Sequence, residues 1–381
     1  MAVTGDEAVE LLGAHKSLHV TQRADDLTAL GSISSNDHPS SVPTSELLSG
    51  MILVNVVGMI LVTKRGNAGN QHRGGPRVRR ALVAATVLAV VALALSACNA
   101  PSPKASGQVR AVGAENEYAN VISQIGGRFV QTSAIMSNPN TDPHTFEAST
   151  SVARSVASAQ LVVQNGVGYD AFINQLESAS PNSTRDVIDV QSLLGLPLDT
   201  KNPHLWYNPT VMTKVAVKVE KELARINPRH DHYFAQRLYA FQTSVLHLDA
   251  AIADFRHRFS GTAVATTEPV ADYLLTALGL DNLTPFRFQA DVMNGVDPSP
   301  EDIAFQQSLF ATHRVKVFCY NAQVSSTVTT SLRSLAESSG VPVVAVYETM
   351  PTPGYDYQSW MLAEIGALTK ALVSKTSTKE L

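Results

Sequence analysis

The sequence predicts an α/β protein of two lobes, each a mainly parallel sheet flanked by helices, with a single long helix between them. Three observations predict it. Strand and helix signals alternate over residues 109–200, a stretch from 209 to about 259 carries helical periodicity without a strand signal, and the alternation resumes at 262. Strands that alternate with helices build parallel sheets, because the chain needs a crossover of a dozen or more residues to return in the same direction. At 381 residues the chain has room for two ordinary domains.

The elements follow in order. Residues 108–114 read as a short apolar strand, 118–126 as a helix stopped by Gly126-Gly127, and 130–136 as a second strand. A helix of small residues over 149–159 precedes the strand Leu161-Val162-Val163, which ends at the turn signal Asn165-Gly166. Residues 211–226 are helical up to the break at Asn227-Pro228. Over 233–255 the apolar residues Phe234, Leu238, Phe241, Val245, Leu248, Ile252 and Phe255 keep near-helical spacing. That gives a helix of about six turns, which either packs in the ordinary way or connects two lobes. Beyond it, strands are expected at 263–265, 283–288, 315–319 and 341–347, with helices at 270–278, 300–312, 326–339 and 358–373. Ser299 is placed to cap the 300–312 helix. Two lobes of this kind form a ligand site in the cleft between their strand ends.

Composition excludes some functions. Hydrophobic residues make up 44% and charged residues 16%, with a formal net charge of −4. This suits a globular chain with a sizeable core and shows no clustered basic face of the kind nucleic acids require. The densest basic stretch, 73–80, has another explanation. Arg77-Val78-Arg79-Arg80 precedes an apolar run over 81–95 that ends in Leu95-Ser96-Ala97-Cys98. A charged region, a short apolar run and small residues at a cleavage point make a secretory signal. The run is shorter than the roughly 20 apolar residues a spanning helix needs. Its end resembles the bacterial lipobox, which implies that Cys98 becomes the lipidated first residue of the mature protein; an uncleaved N-terminal anchor is the alternative. Residues 99–108 then suit a flexible tether. Because such a signal belongs at a start, residues 1–77 are expected to be a disordered leader or to precede the true start, with Val78, Met51 and Met59 as possible start positions. The second cysteine, Cys319, lies in a strand signal and reads as a small core residue rather than a disulfide partner or ligand.

Two segments carry chemistry. Asp142-Pro143-His144-Thr145-Phe146-Glu147 follows a strand and precedes a helix, and Asn202-Pro203-His204-Leu205-Trp206-Tyr207-Asn208-Pro209 also leads into a helix. In each, a proline restricts the backbone just before a histidine, so both imidazoles sit at rigid corners. A neutral imidazole offers a lone pair to zinc, manganese, iron or copper. The two are too far apart for one local motif, so two loops must converge. Of the 11 histidines, His230, His232, His247 and His257 lie around the long helix and are expected on its solvated face.

These corners, together with Thr267-Glu268-Pro269 after a strand, resemble the metal-binding proteins that serve zinc and manganese ABC importers. Asn116 with Tyr118, Asn138-Pro139-Asn140-Thr141 and Asn165-Gly166 to Tyr169-Asp170 fit that family's N-terminal lobe. Asp297-Pro298-Ser299-Pro300, Tyr320-Asn321-Ala322-Gln323 and Val341-Pro342-Val343 fit its C-terminal lobe, so the likeness spans about 110–373. The resemblance implies an N-terminal lobe over 109–228, a linking helix over 229–259 and a C-terminal lobe over 260–375, with the metal held between the lobes. His144 and His204 match the N-lobe ligands. Glu268 stands where the family places a histidine or glutamate. The family's fourth ligand, usually an aspartate, has no direct counterpart; Glu348 is the nearest carboxylate, and Asp356 is the alternative. Two histidines and two carboxylates suit zinc or manganese. Glu268 in place of histidine points to manganese, the higher intrinsic affinity of such sites to zinc. Glu147, Asn208 and Asn321 are candidates to hold the imidazoles in one tautomer, and Trp206 to shield His204 from solvent.

The resemblance implies an extracytoplasmic, lipid-anchored monomer working with permease and ATPase subunits, with no catalysis and no nucleic acid. A surface adhesin is the alternative. A metallohydrolase would need an open coordination position and a general base, and no His-Glu-x-x-His pair occurs.

Overall fold

The computed structural model describes residues 107–140, 143–351 and 353–381. The chain divides into the units Met1–Cys98 and Asn99–Leu381, and all described residues belong to the second. The leader, the signal with Cys98, most of the tether and Asp142 lie outside the described residues.

The first half runs β1 (Val109–Glu115), α1 (Asn116–Gly126), β2 (Val130–Met136), α2 (Thr150–Ser158), β3 (Leu161–Gln164), α3 (Phe172–Ala179), β4 (Asp186–Asp189) and α4 (Val190–Leu194). Its sheet has the order β2-β1-β3-β4, every pair parallel. Helices α5 (Val211–Ile226) and α6 (Asp231–Phe259) follow. The second half runs β5 (Ala263–Thr266), α7 (Asp272–Ala277), β6 (Asp281–Asn282), α8 (Phe286–Met293), α9 (Pro300–Ala311), β7 (Val317–Asn321), α10 (Thr327–Ser338), β8 (Val343–Val346) and α11 (Tyr357–Ser374). Its sheet repeats the pattern as β6-β5-β7-β8, again all parallel. In both sheets the chain moves outward on one side and then crosses to the other, so each has a switch point at the carboxyl ends of its two central strands.

Strands β3, β5, β7 and β8 are largely apolar and almost wholly buried, as expected where helices cover both faces. Two of the strands differ from expectation, and the helices α3 and α4 had no counterpart in it. The strand expected at 283–288 is replaced by the two-residue β6, after which Pro285 precedes α8. Proline cannot donate to a ladder, whereas its φ of −60° suits a helix start. The edge strand β4 carries no apolar run in the sequence, because only Ile188 of Asp186-Val187-Ile188-Asp189 is buried.

Helix α6 has 29 residues, about 44 Å at 1.5 Å per residue. Phe234, Phe241, Val245, Leu248 and Phe255 form its buried face. They belong to one apolar cluster that continues through both halves and includes Trp206, Tyr207, Val317, Tyr357 and Trp360. Each half adds a smaller cluster of its own, around Val112, Val162 and Ile173 in the first and Phe288, Phe310 and Phe318 in the second. Cys319 is a buried free thiol in β7. Ser299 caps α9, its side chain accepting from the Asp302 N–H with Pro300 in the first turn. The tail extends past α11: Thr378 pairs in parallel with β8, donating to Val343 and accepting from Ala345. This covers an edge that would otherwise be open to pairing.

Gly113 marks where β1 passes under α1. A Cβ there would lie 2.3 Å from the backbone nitrogen of Ala119, and backbone cannot swing aside as a side chain can. Gly113→Ala is expected to destabilise the fold by about 1–3 kcal/mol, read as a lowered urea midpoint at unchanged slope.

Candidate metal centre

The loops at the carboxyl ends of the strands bring the singled-out residues together. His144 sits in the single turn Pro143–Thr145 after β2, with Pro143 buried beneath it. His204 immediately precedes the turn Leu205–Tyr207 and is fully buried. Glu268 follows β5 and Glu348 follows β8, both buried. The Nε2 atoms of His144 and His204 each lie 3.2 Å from the same oxygen, Oε2 of Glu348. One donor atom from each of these residues falls within 4.8 Å of the others, the one such group of three among the described residues. Glu268 stands beside this trio through Asn321, whose amide nitrogen donates to Glu268 Oε1 at 3.1 Å and to Glu348 Oε1 at 2.7 Å.

The hydrogen bonds around His204 decide its tautomer. Asn202 Nδ2 donates to the Pro269 carbonyl at 2.8 Å, and a carbonyl can only accept. The amide is therefore oriented with Oδ1 toward His204, where it accepts from the backbone N–H at 3.0 Å and meets Nδ1 at 2.8 Å. Nδ1 must carry a proton, so Nε2 faces Glu348 either as the second N–H of a protonated ring, which donates to it, or as the lone pair of the neutral ring. A nitrogen lone pair and a carboxylate oxygen repel unless a proton or a cation lies between them. Two donors about 2.0–2.1 Å from a tetrahedral ion lie roughly 3.3 Å apart, close to the observed 3.2 Å. The donor set therefore fits a small cation of nitrogen and oxygen preference.

Glu348 carries the charge of the site. Burial alone would push its carboxyl up, but the hydrogen bonds and charge of His144 and His204 outweigh burial and hold it well below the ordinary value. Its backbone N–H donates to Gln323 Oε1 at 2.6 Å, and that of Thr349 to the same oxygen at 2.8 Å. The Tyr169 hydroxyl donates to Glu348 Oε2 at 3.0 Å. Tyr169 is presented by Gly166-Val167-Gly168, which holds three successive left-handed residues with φ of 79°, 56° and 77°. Glycine reaches that region freely, whereas a β-branched valine there is unusual. The loop is closed by Asp170, whose carboxylate accepts from the Asn165 and Gly166 N–H groups. Trp206 packs edge-on to His204 with centroids 5.5 Å apart and is fully buried, as expected of a shield. His144 is the exposed member, opening with Tyr169 onto a cleft of about 360 Å³ that also meets Lys201, Phe286 and Met293.

Asp356 is exposed and serves as the cap of α11, its side chain accepting from the Ser359 N–H. Asn208 accepts from Thr210 within its own loop, and Glu147 is exposed. Asn321 alone of the three polar candidates touches the site. Asn202 and Tyr169 had no expected role. The signal for Asn202 was its place two residues before a histidine, a spacing at which an asparagine oxygen turns back onto the following backbone.

The family model described as zinc-uptake complex component A, periplasmic (ZnuA) matches residues 112–371. The chain belongs to this family. Among curated relatives, the manganese-binding lipoprotein MntA of Bacillus subtilis is 21% identical over 178 residues, 45% of this chain and 58% of that protein. The chain is thus matched to little more than half the length of that relative. Among solved structures, the periplasmic zinc-binding protein TroA from Treponema pallidum superposes with a TM-score of 0.60 at 19% identity, covering 70% of this chain and 99% of TroA. The laminin-binding protein of Streptococcus agalactiae, titled a bifunctional adhesin and metal transporter, gives 0.58 at 21% identity, covering 70% of this chain and all of that one. At such identities the structural likeness establishes the shared fold.

Two measurements follow from the geometry. Asn202→Ala removes the acceptor that fixes His204, and divalent-metal affinity is expected to drop about 10–100-fold, read by calorimetry. Burial pushes the carboxyls of Glu117 and Glu364 up from 4.5 to about 8, with the charge of Glu348 adding to the rise at Glu117. A raised acid binds its proton more tightly when folded, so its stabilisation is full below the unfolded value and is lost as pH rises through the folded value. Apo-protein stability is expected to decline between about pH 4.5 and about pH 8, and Glu364→Gln to flatten that decline in urea titrations.

Proposed function

We propose that the protein captures a divalent transition metal, zinc or manganese, outside the cytoplasm and delivers it to the permease and ATPase subunits of an ABC importer. The observation that carries this reading is the convergence of two imidazoles, from separate loops of the first lobe, on one carboxylate oxygen of the second. His144 and His204 supply the nitrogen donors, Glu348 an oxygen, and Glu268 the remaining donor from the second lobe. His204, buried and oriented by Asn202, is the fixed ligand, whereas His144 at the cleft mouth is the one an arriving ion meets first. The ion is cargo, bound and released unchanged, so no catalytic step is required. Membership of a family described as periplasmic supports the location, and Cys98 is the proposed site of the lipid that retains the protein at the membrane.

The His144→Ala, His204→Ala double variant should retain its circular dichroism spectrum and lose tight binding of zinc and manganese in calorimetry; near-native affinity would sink the site. Glu268→Ala should weaken binding and shift the preference between the two ions, and an unchanged isotherm would remove it from the ligand set. Cys98→Ala should move the protein from the membrane fraction to the soluble fraction, and continued retention would argue for an uncleaved anchor. Adhesion is the second reading, favoured by the likeness to the Streptococcus agalactiae protein, which is described as both adhesin and metal transporter. Normal growth of a deletion strain in chelated medium, with adhesion lost, would favour it over transport.

A further inference from the structure

Asn321 is the last residue of β7 and is fully buried. Its Oδ1 accepts the Gln323 N–H at 3.0 Å, and its own backbone N–H donates to Thr267 Oγ1 at 3.0 Å. The first bond fixes the amide with its nitrogen toward the carboxylates, and the second anchors the backbone that carries it. That nitrogen has two hydrogens, and it bonds two oxygens: Oε1 of Glu348 at 2.7 Å and Oε1 of Glu268 at 3.1 Å. Glu348 turns its other oxygen, Oε2, to His144, His204 and Tyr169. A carboxylate chelates an ion with both oxygens only when both face it. An oxygen committed to a buried, oriented amide does not.

We propose that Asn321 is a specificity-determining residue of this site. By holding one oxygen of each carboxylate, it keeps Glu348 and Glu268 monodentate. The site is then limited to two imidazole nitrogens and two carboxylate oxygens. Four such donors complete the tetrahedral shell of zinc, whereas manganese favours a six-coordinate, oxygen-rich shell. The fixed amide therefore favours zinc by geometry, in addition to zinc's higher intrinsic affinity for such donors. The inference rests on the reading of the site as a metal-capture centre.

The test uses cobalt(II) as a reporter of coordination number, since four-coordinate cobalt absorbs strongly in the visible and six-coordinate cobalt weakly. The purified protein loaded with cobalt should show the strong spectrum; a weak six-coordinate spectrum overturns the proposal without any variant. Asn321→Ala, and Asn321→Ser should the alanine variant fold poorly, free both oxygens. Cobalt absorption should then weaken, and the ratio of zinc to manganese affinity should fall at least about tenfold in competition titrations. Equal weakening of both ions with an unchanged cobalt spectrum would mean that Asn321 serves only packing, and would overturn the proposal. Failure of the capture reading is distinguishable: the double histidine variant would then still bind both ions.

Discussion

The site hangs on one oxygen atom. Oε2 of Glu348 meets two imidazole nitrogens and a tyrosine hydroxyl, all from the first lobe, while Glu348 itself comes from the second. A carboxylate buried this deeply is costly unless positive charge and donors compensate it, and here the histidines supply that compensation. The oxygen can play this part only because the backbone behind it is held. Gln323 accepts from two successive N–H groups there, and Asn321 fixes the opposite oxygen. Across the cleft, Asn202 performs the matching task for His204 and at the same time bonds the Pro269 carbonyl beside Glu268.

The lobes are tied by more than the proposed ligands. The Asn116 side chain bonds both backbone groups of Met350, like one rung of a sheet, and Glu117 accepts from the same N–H. The Tyr207 hydroxyl is within donating distance of both the Tyr347 carbonyl, at 2.8 Å, and Glu364 Oε1, at 3.1 Å. Tyr357, in α11, reaches back to the Trp206 carbonyl. Beneath these bonds runs the continuous apolar core shared by both halves and α6. Separating the lobes would expose those side chains to water at about 25 cal/mol per Å² of apolar surface, besides breaking buried hydrogen bonds. The architecture thus favours small adjustments over wide opening.

The sequence by itself determined the two-lobed α/β pattern, the long helix, and the histidines at 144 and 204. The physical reasons are local: buried parallel strands read as apolar runs, an amphipathic helix repeats near 3.6 residues, and a proline before a histidine restricts the backbone at that residue. The local signal ended where an element depended on its neighbours. β4 is an edge strand with one buried residue, and residues 283–288 held apolar content that a proline diverted into a helix. Only the tertiary structure decided between Glu348 and Asp356 as the carboxylate facing the histidines, because both follow the last strand and their chemistry is alike. Asp356 lies at the start of α11, where its side chain satisfies a free N–H, whereas Glu348 lies two residues past the end of β8, where its carboxylate meets both imidazoles. The parts played by Asn202, Tyr169 and Asn321 were likewise decided in three dimensions, since a polar side chain's partner is set by which loops meet, and those loops meet only once both sheets are in place.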